Sequence, residues 1–208
     1  VRDWEADRFR RRRVECLYDL KEGEKAYAEV GPAEETFSQL AFAYQQDKNW
    51  PALEKMIAAH RQKHPNDRNG PYWAANVLYQ RGNYPEAAAA FTRYLADATE
   101  KDPNDYMATD LGTRALLRSG KPHEAEQVVK KAQDNRVALT LRVAVALANG
   151  HTDDAESIVA EHVKNGARYD FLYYDEDFRR EVAAPKFAEF RKKFPDTRPK
   201  PKEKDKEE

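Results

Sequence analysis

The stretch Gly82-Asn83-Tyr84-Pro85-Glu86-Ala87 is the main indicator of the fold, because it returns in related form at three other places. The related stretches are Lys48-Asn49-Trp50-Pro51-Ala52-Leu53, Gly120-Lys121-Pro122-His123-Glu124-Ala125 and Gly150-His151-Thr152-Asp153-Asp154-Ala155. Their first residues are 34, 38 and 30 positions apart in chain order. Such a period is typical of stacked pairs of helices, so the pattern predicts four pairs.

Each stretch contains the signals for the end of one helix and the start of the next. Pro51, Pro85 and Pro122 stand at the expected first turn of a second helix, where amide hydrogens have no intrahelical acceptor. A small residue such as Ala87 or Ala125 follows and allows close approach to the preceding helix. The four stretches therefore predict helix-turn-helix units.

The overall composition narrows the classes of function. The chain has 208 residues, and its 36 Lys and Arg nearly cancel its 37 Asp and Glu. A net charge of −1 disfavours a nucleic-acid-binding domain, which normally carries a basic excess. A single cysteine, Cys16, excludes an internal disulfide framework and fits a reducing compartment, so we expect a cytoplasmic location. No apolar run is long enough to span a membrane, although an anchor upstream of Val1 stays open.

The first two repeats carry a recognisable residue pattern. Its members are Phe37, Leu40, Ala41, Tyr44, Leu53, Ile57 and Pro65, followed by Ala74, Ala75, Leu78, Gly82, Ala87 and Phe91. With these residues the chain resembles the tetratricopeptide-repeat (TPR) family over roughly 33–168. The resemblance implies an all-α fold, a right-handed α-solenoid of TPR-like helix-turn-helix repeats. The segment from Asp175 to Phe187 is similar to the closing segment of some bacterial repeat arrays.

The domain organisation follows from the repeats and from changes in composition. We expect a C-terminal cap because a solenoid otherwise leaves an apolar face in water, and a disordered tail because that segment has no apolar residue to bury. The expected parts are an N-terminal helical segment at 1–31, repeats within 32–168 (about 34–67, 68–105, 106–135 and 136–168), capping helices at 169–195 and the charged tail at 196–208.

The resemblance also implies a binding surface. In TPR proteins the first helices of the repeats line a concave groove that holds a partner, here expected to be a protein or peptide. An aromatic floor with amide and guanidinium groups suits an extended peptide, although the aromatic residues could equally pack between repeats. The groove positions are Phe42, Gln45, Gln46, Tyr72, Asn76, Tyr79, Gln80, Asp110, Arg114 and Arg118.

A basic run forms a second candidate contact. Arg10, Arg11, Arg12 and Arg13 follow Arg8-Phe9 and could bind nucleic acid or anionic lipid, or flank a membrane anchor. The alternative is a solvated helix face on which neighbouring carboxylates neutralise these arginines.

Catalytic motifs are scarce. His60 and His64 have a metal-compatible spacing, but no further ligand completes a site, so no metal and no cofactor are expected. Cys16 lies in an apolar stripe and is expected to be buried. The interpretation is a non-enzymatic protein-binding scaffold. Two alternatives stay open: a self-assembling structural repeat protein, and a regulatory or docking part of a larger enzyme or membrane-anchored protein.

Overall fold

A computed structural model describes residues 3–96, 103–132, 137–164, 166 and 168–199 of the chain. Within these residues every regular element is a helix, which confirms the all-α class. The α-helices are α1 (Asp3–Asp19), α2 (Gly23–Glu29), α3 (Ala33–Gln46), α4 (Trp50–Lys63), α5 (Asn69–Gln80), α6 (Tyr84–Ala96), α7 (Pro103–Arg118), α8 (Pro122–Lys131), α9 (Leu139–Ala148), α10 (Thr152–Lys164), α11 (Glu176–Val182) and α12 (Ala188–Lys193). Short 3₁₀ turns occupy Asp170–Tyr174 and Pro185–Phe187.

The four repeated stretches form the same turn. After α5, Gly82 has a φ of +79°, its N–H donates to Tyr79 O at 3.0 Å, and the next N–H, of Asn83, donates to Leu78 O at 2.9 Å. This pair of bonds satisfies carbonyls that the helix end leaves without partners. The ends of α7 and α9 repeat the geometry at Gly120 and Gly150, and Lys48 takes the glycine position after α3 with a φ of +53°.

The chain divides into two compact units, Val1–Ala108 and Thr109–Glu208, with the boundary inside α7. In the first unit α1, α2 and α3 pack against one another, α3 packs on α4, and α5 packs on α3, α4 and α6. Its core contains the large apolar residues Phe37, Leu40, Leu53 and Phe91, all without solvent exposure. Burial of such side chains contributes roughly 1.5–3 kcal/mol each to folding.

The second unit is built around α9. This helix packs against α8, α10 and α11, and its residues Leu141, Val143 and Leu147 are fully buried. The C-terminal segment adds an aromatic cluster in which Phe178 lies 5.1 Å from Tyr173 and 6.3 Å from Phe190, measured between ring centroids. Phe194 and Tyr169 extend this cluster, and Phe187 is buried as well.

A turn of the same kind follows α1 at Lys21, with a φ of +65°, and Gly23 begins α2 and packs against Tyr44. One detail of this N-terminal segment differs from expectation. Cys16 is exposed, so the prediction of a buried cysteine is wrong. The reason is helical geometry: Val14 faces α1's packing partners, and a residue two positions further along points about 200° away from it.

The predicted disordered tail, 196–208, falls mostly beyond the part that the structure describes. Residues 196–199 have no helical structure, and residues 200–208 lie outside the described residues.

Candidate functional site

His60, one of the two histidines with a metal-compatible spacing, is part of a packed hydrogen-bond array, and the His64 ring stacks on it with the ring centroids 4.9 Å apart. The His60 ring is fully buried and stacks on Phe37, with the ring centroids 3.8 Å apart. Its Nδ1 lies 2.8 Å from the Tyr27 hydroxyl, and its Nε2 lies 2.5 Å from Asp67 Oδ2. Both ring nitrogens are therefore used inside the protein.

This array joins three parts of the first unit. Tyr27 belongs to α2, His60 to α4, and Asp67 to the turn before α5, where Asp67 Oδ1 also accepts from the Asn69 N–H at 3.1 Å. Burial is the main reason that the pKa of the Tyr27 hydroxyl is raised, so this hydroxyl is a poor proton donor to solvent. Among the described side chains, no group of three or more His, Cys, Asp or Glu residues could hold a metal ion.

The aromatic and amide positions predicted on α5 are buried. Tyr72, Asn76 and Tyr79 are 5%, 5% and 9% exposed. The Tyr72 ring packs edge-on against Trp73 and Phe91, with centroids 5.5 Å and 6.4 Å apart. These three side chains are packed inside the first unit, where α5 contacts α3, α4 and α6.

The remaining groove positions of the first unit lie at the surface. Phe42 is 56% exposed. Gln46 and Gln80 are exposed and Gln45 is half-buried. Phe42, Gln45 and Gln46 are three and four positions apart on α3, so they share one face of that helix.

The three groove positions of the second unit belong to an ionic network. Arg114 donates from Nε to Asp110 Oδ2, from Nη2 to Asp175 Oδ2 and from Nη1 to Asp177 Oδ2, each at 2.8 Å. Arg118 Nε donates to the other oxygen of Asp177 at 2.8 Å. The sequence contained both the arginines and the acidic turn at 175–177, but no pattern in it indicated that the two would meet.

Charge and burial explain the titration behaviour of this network. Burial alone would lower the pKa of Arg114, but hydrogen bonds to Asp175 and Asp110 raise it above the ordinary value. Burial would raise the pKa of Asp175, but hydrogen bonds from Arg114 and from the Phe178 N–H outweigh it and lower that pKa. Both groups are therefore held in their charged forms.

The predicted basic run on α1 is largely neutralised by neighbouring carboxylates. Arg10 pairs with Asp7, Arg12 Nη1 lies 3.0 Å from Glu15 Oε2, and Arg13 Nη2 lies 3.4 Å from Glu29 Oε2. Arg11 is exposed and makes no ion pair with the described residues. The run thus has three compensated charges and one uncompensated charge.

The structure brings Phe42 together with two of these arginines. An open depression of about 550 Å³ lies between α1 and α3, with Arg10 and Arg11 on one side and Phe42 on the other. Val14 and Thr36 are its buried floor. Gln39 Nε2 lies 3.4 Å from the backbone oxygen of Arg11 and ties the two helices together beside it. The sequence placed these residues in two separate candidate surfaces, and only the packing of α1 on α3 joins them.

Comparisons with protein-family models, curated proteins and solved structures found no match for this chain. Within the described residues, no helix has both the length and the apolar character needed to cross a membrane.

Proposed function

We propose that this chain is a non-enzymatic docking module, a TPR-like right-handed solenoid that holds a segment of a partner protein. Support for the repeat assignment comes from the same helix-ending turn after α3, α5, α7 and α9. The fully buried small residues Ala87, Ala125 and Ala155 support it further, since each lies in the first turn of the second helix of a pair. Together these features match the helical pairs of the family.

One observation supports the docking role above the others: Phe42 stands more than half exposed at the edge of the depression between α1 and α3. Exposing an aromatic ring of this size costs free energy that a binding partner can recover. Aromatic residues and arginines are also the side chains most enriched where protein interfaces derive their affinity. Phe42 of α3 and Arg11 of α1 supply this combination at one depression.

A photocrosslinking experiment tests the proposal. The chain is expressed in its native cells with a photoreactive phenylalanine analogue at position 42, and in parallel at position 163, where Val163 is an exposed apolar residue of α10. We expect a protein adduct from position 42 that position 163 does not yield. The purified partner should then bind the Phe42→Ala variant at least about tenfold more weakly, and the Val163→Ala variant unchanged.

Two results would contradict the docking role. Identical adducts from both positions would show that position 42 reports only on random encounters. An adduct with twice the mass of the chain, together with a concentration-dependent mass in solution, would replace docking by self-assembly.

A further inference from the structure

A second depression, in the first unit, is lined by three arginines. It measures about 330 Å³, and Arg61 of α4, Arg68 of the turn before α5 and Arg93 of α6 surround it. The rest of the lining is Pro71, Ala74, Ala90 and Tyr94. None of its described lining residues carries a carboxylate, in contrast to the mixed charges around Phe42. The two depressions share no described lining residue.

Two of the three arginines are held in place by their surroundings. Arg68 Nη2 lies 2.8 Å from Asp105 Oδ1, and the guanidinium carbon stands 4.4 Å from the centre of the Tyr94 ring. The stem of Arg61 lies directly over Gly70, where a Cβ atom would come within 2.6 Å of Arg61 Cγ. Glycine at position 70 therefore leaves the space that the Arg61 stem occupies. The Arg68 guanidinium is positioned before any ligand arrives.

The charge at this site is only partly compensated. Arg68 has Asp105, but Arg61 and Arg93 are exposed and form no hydrogen bond or ion pair with the residues that the structure describes. Many other arginines of the chain do have carboxylate partners, among them Arg12, Arg13, Arg81, Arg114, Arg118, Arg168 and Arg180. Two arginines without a described carboxylate partner, beside the paired Arg68, raise the electrostatic potential, which a bound anion would relieve.

We propose that the depression formed by Arg61, Arg68 and Arg93 binds an oxyanion, a carboxylate or a phosphate group, carried by a protein segment. Guanidinium groups match both oxyanions through paired N–H donors, and arginine clusters are a recurrent means of recognising acidic or phosphorylated segments. The small side chains Pro71, Ala74 and Ala90 keep the space between the guanidinium groups open. The chain's net charge of −1 favours such a local anion contact over a nucleic-acid backbone.

The test uses three synthetic heptapeptides of Gly and Ser that differ only at the central residue, which is phosphoserine, glutamate or serine. Each is titrated into the ¹⁵N-labelled chain at constant ionic strength, and the arginine Nε–Hε signals are followed by NMR. We expect saturable shifts of the Arg61 and Arg93 signals with the phosphoserine or glutamate peptide and none with the serine peptide. The ratio of the dissociation constants of the phosphoserine and glutamate peptides shows which oxyanion the site prefers.

Variants separate site binding from general charge attraction. Arg61→Gln and Arg93→Gln should each weaken the charged peptides about tenfold, because each removes one charge-assisted contact. Arg8→Gln is the matched control: it removes one exposed arginine of α1 that lacks an ion pair in the described structure, and binding should be unchanged. Gly70→Ala retains all the charges but displaces the Arg61 stem, so it should weaken binding about as much as Arg61→Gln.

These measurements test the oxyanion site independently of the docking site at Phe42. Phe42→Ala should leave the heptapeptide affinities unchanged. Equal losses in Arg8→Gln and Arg61→Gln, or the absence of any saturable shift, would overturn the oxyanion site. Wild-type affinity in Gly70→Ala would refute the positioning of Arg61. Tighter binding of a single-stranded oligonucleotide than of the phosphoserine peptide, lost in the same variants, would overturn the protein segment as the occupant.

Discussion

The Arg114 guanidinium of α7 lies 2.8 Å from the carboxylate of Asp177, a residue 63 positions later in the chain that has no solvent exposure. Asp177 also accepts from Arg118, while Asp175 accepts from Arg114 and from Thr140 Oγ1. Arg114 and Arg118 therefore anchor the start of α11, and their guanidinium groups are engaged within the second unit. A partner that used them would first have to compete with these carboxylates.

Replacing Asp177 should destabilise the second unit strongly. Asp177→Asn replaces a fully buried carboxylate by a neutral amide that faces the largely covered guanidinium groups of Arg114 and Arg118. Breaking a buried ion pair on one side costs about 3 kcal/mol or more. Urea denaturation followed by circular dichroism measures the loss. Glu176→Gln is the control, because Glu176 is mostly exposed and its bond to Arg118 should contribute less than about 0.5 kcal/mol. Equal effects of the two substitutions would show that the network is not a stability element.

The lowered pKa of Asp175 predicts a dependence of stability on pH. Because its pKa in the folded state lies below the unfolded value of 3.8, the unfolded chain binds the proton more readily. The stabilisation is therefore complete above about pH 4 and is lost as the pH falls through the folded-state pKa. Asp175→Asn lacks this contribution, so the stability difference between wild type and variant should shrink in acid. A difference that stays constant from neutral pH into acid would contradict the prediction.

The Tyr27–His60–Asp67 array should contribute to stability in steps. Tyr27→Phe removes one hydrogen bond at a half-buried site and should cost about 1 kcal/mol. His60→Phe preserves a ring that can stack on Phe37 but leaves both Tyr27 and Asp67 without this partner, so we expect a loss of about 2–3 kcal/mol. Chemical denaturation of the two variants provides the comparison. A His60→Phe variant as stable as Tyr27→Phe would mean that the bond to Asp67 contributes nothing.

The repeated turn permits a clean backbone test. Gly82 has a φ of +79°, and a Cβ added there would meet no atom within 4 Å, so Gly82→Ala should lose about 1 kcal/mol through backbone strain alone. Lys48 adopts the same conformation without being glycine, and Lys48→Gly should therefore be neutral or stabilising by up to about 0.5 kcal/mol. Thermal unfolding of the pair measures both changes, and destabilisation by Lys48→Gly would contradict this account.

Local sequence signals were sufficient to predict the helical class and the four repeated turns. The conformations of Gly82, Gly120 and Gly150, and the helix starts at Pro122 and beside Pro51, depend on residues a few positions apart, so local preferences suffice to predict them. A turn of the same kind forms after α1 at Lys21, with a φ of +65°, although none of the four repeated stretches marks it.

Which side chains meet depends instead on the packing of separate helices. Tyr72 and Tyr79 appear as groove residues in the helical register, yet helix packing buries them, and Arg114 contacts Asp177 across 63 positions. Phe42 and Arg11 come together because α1 packs on α3, and Arg61, Arg68 and Arg93 because α4, α5 and α6 adjoin. The physical reason is that a helical pattern specifies the direction of a side chain around its own axis, whereas its neighbours are set by the way in which distant segments of the chain pack together.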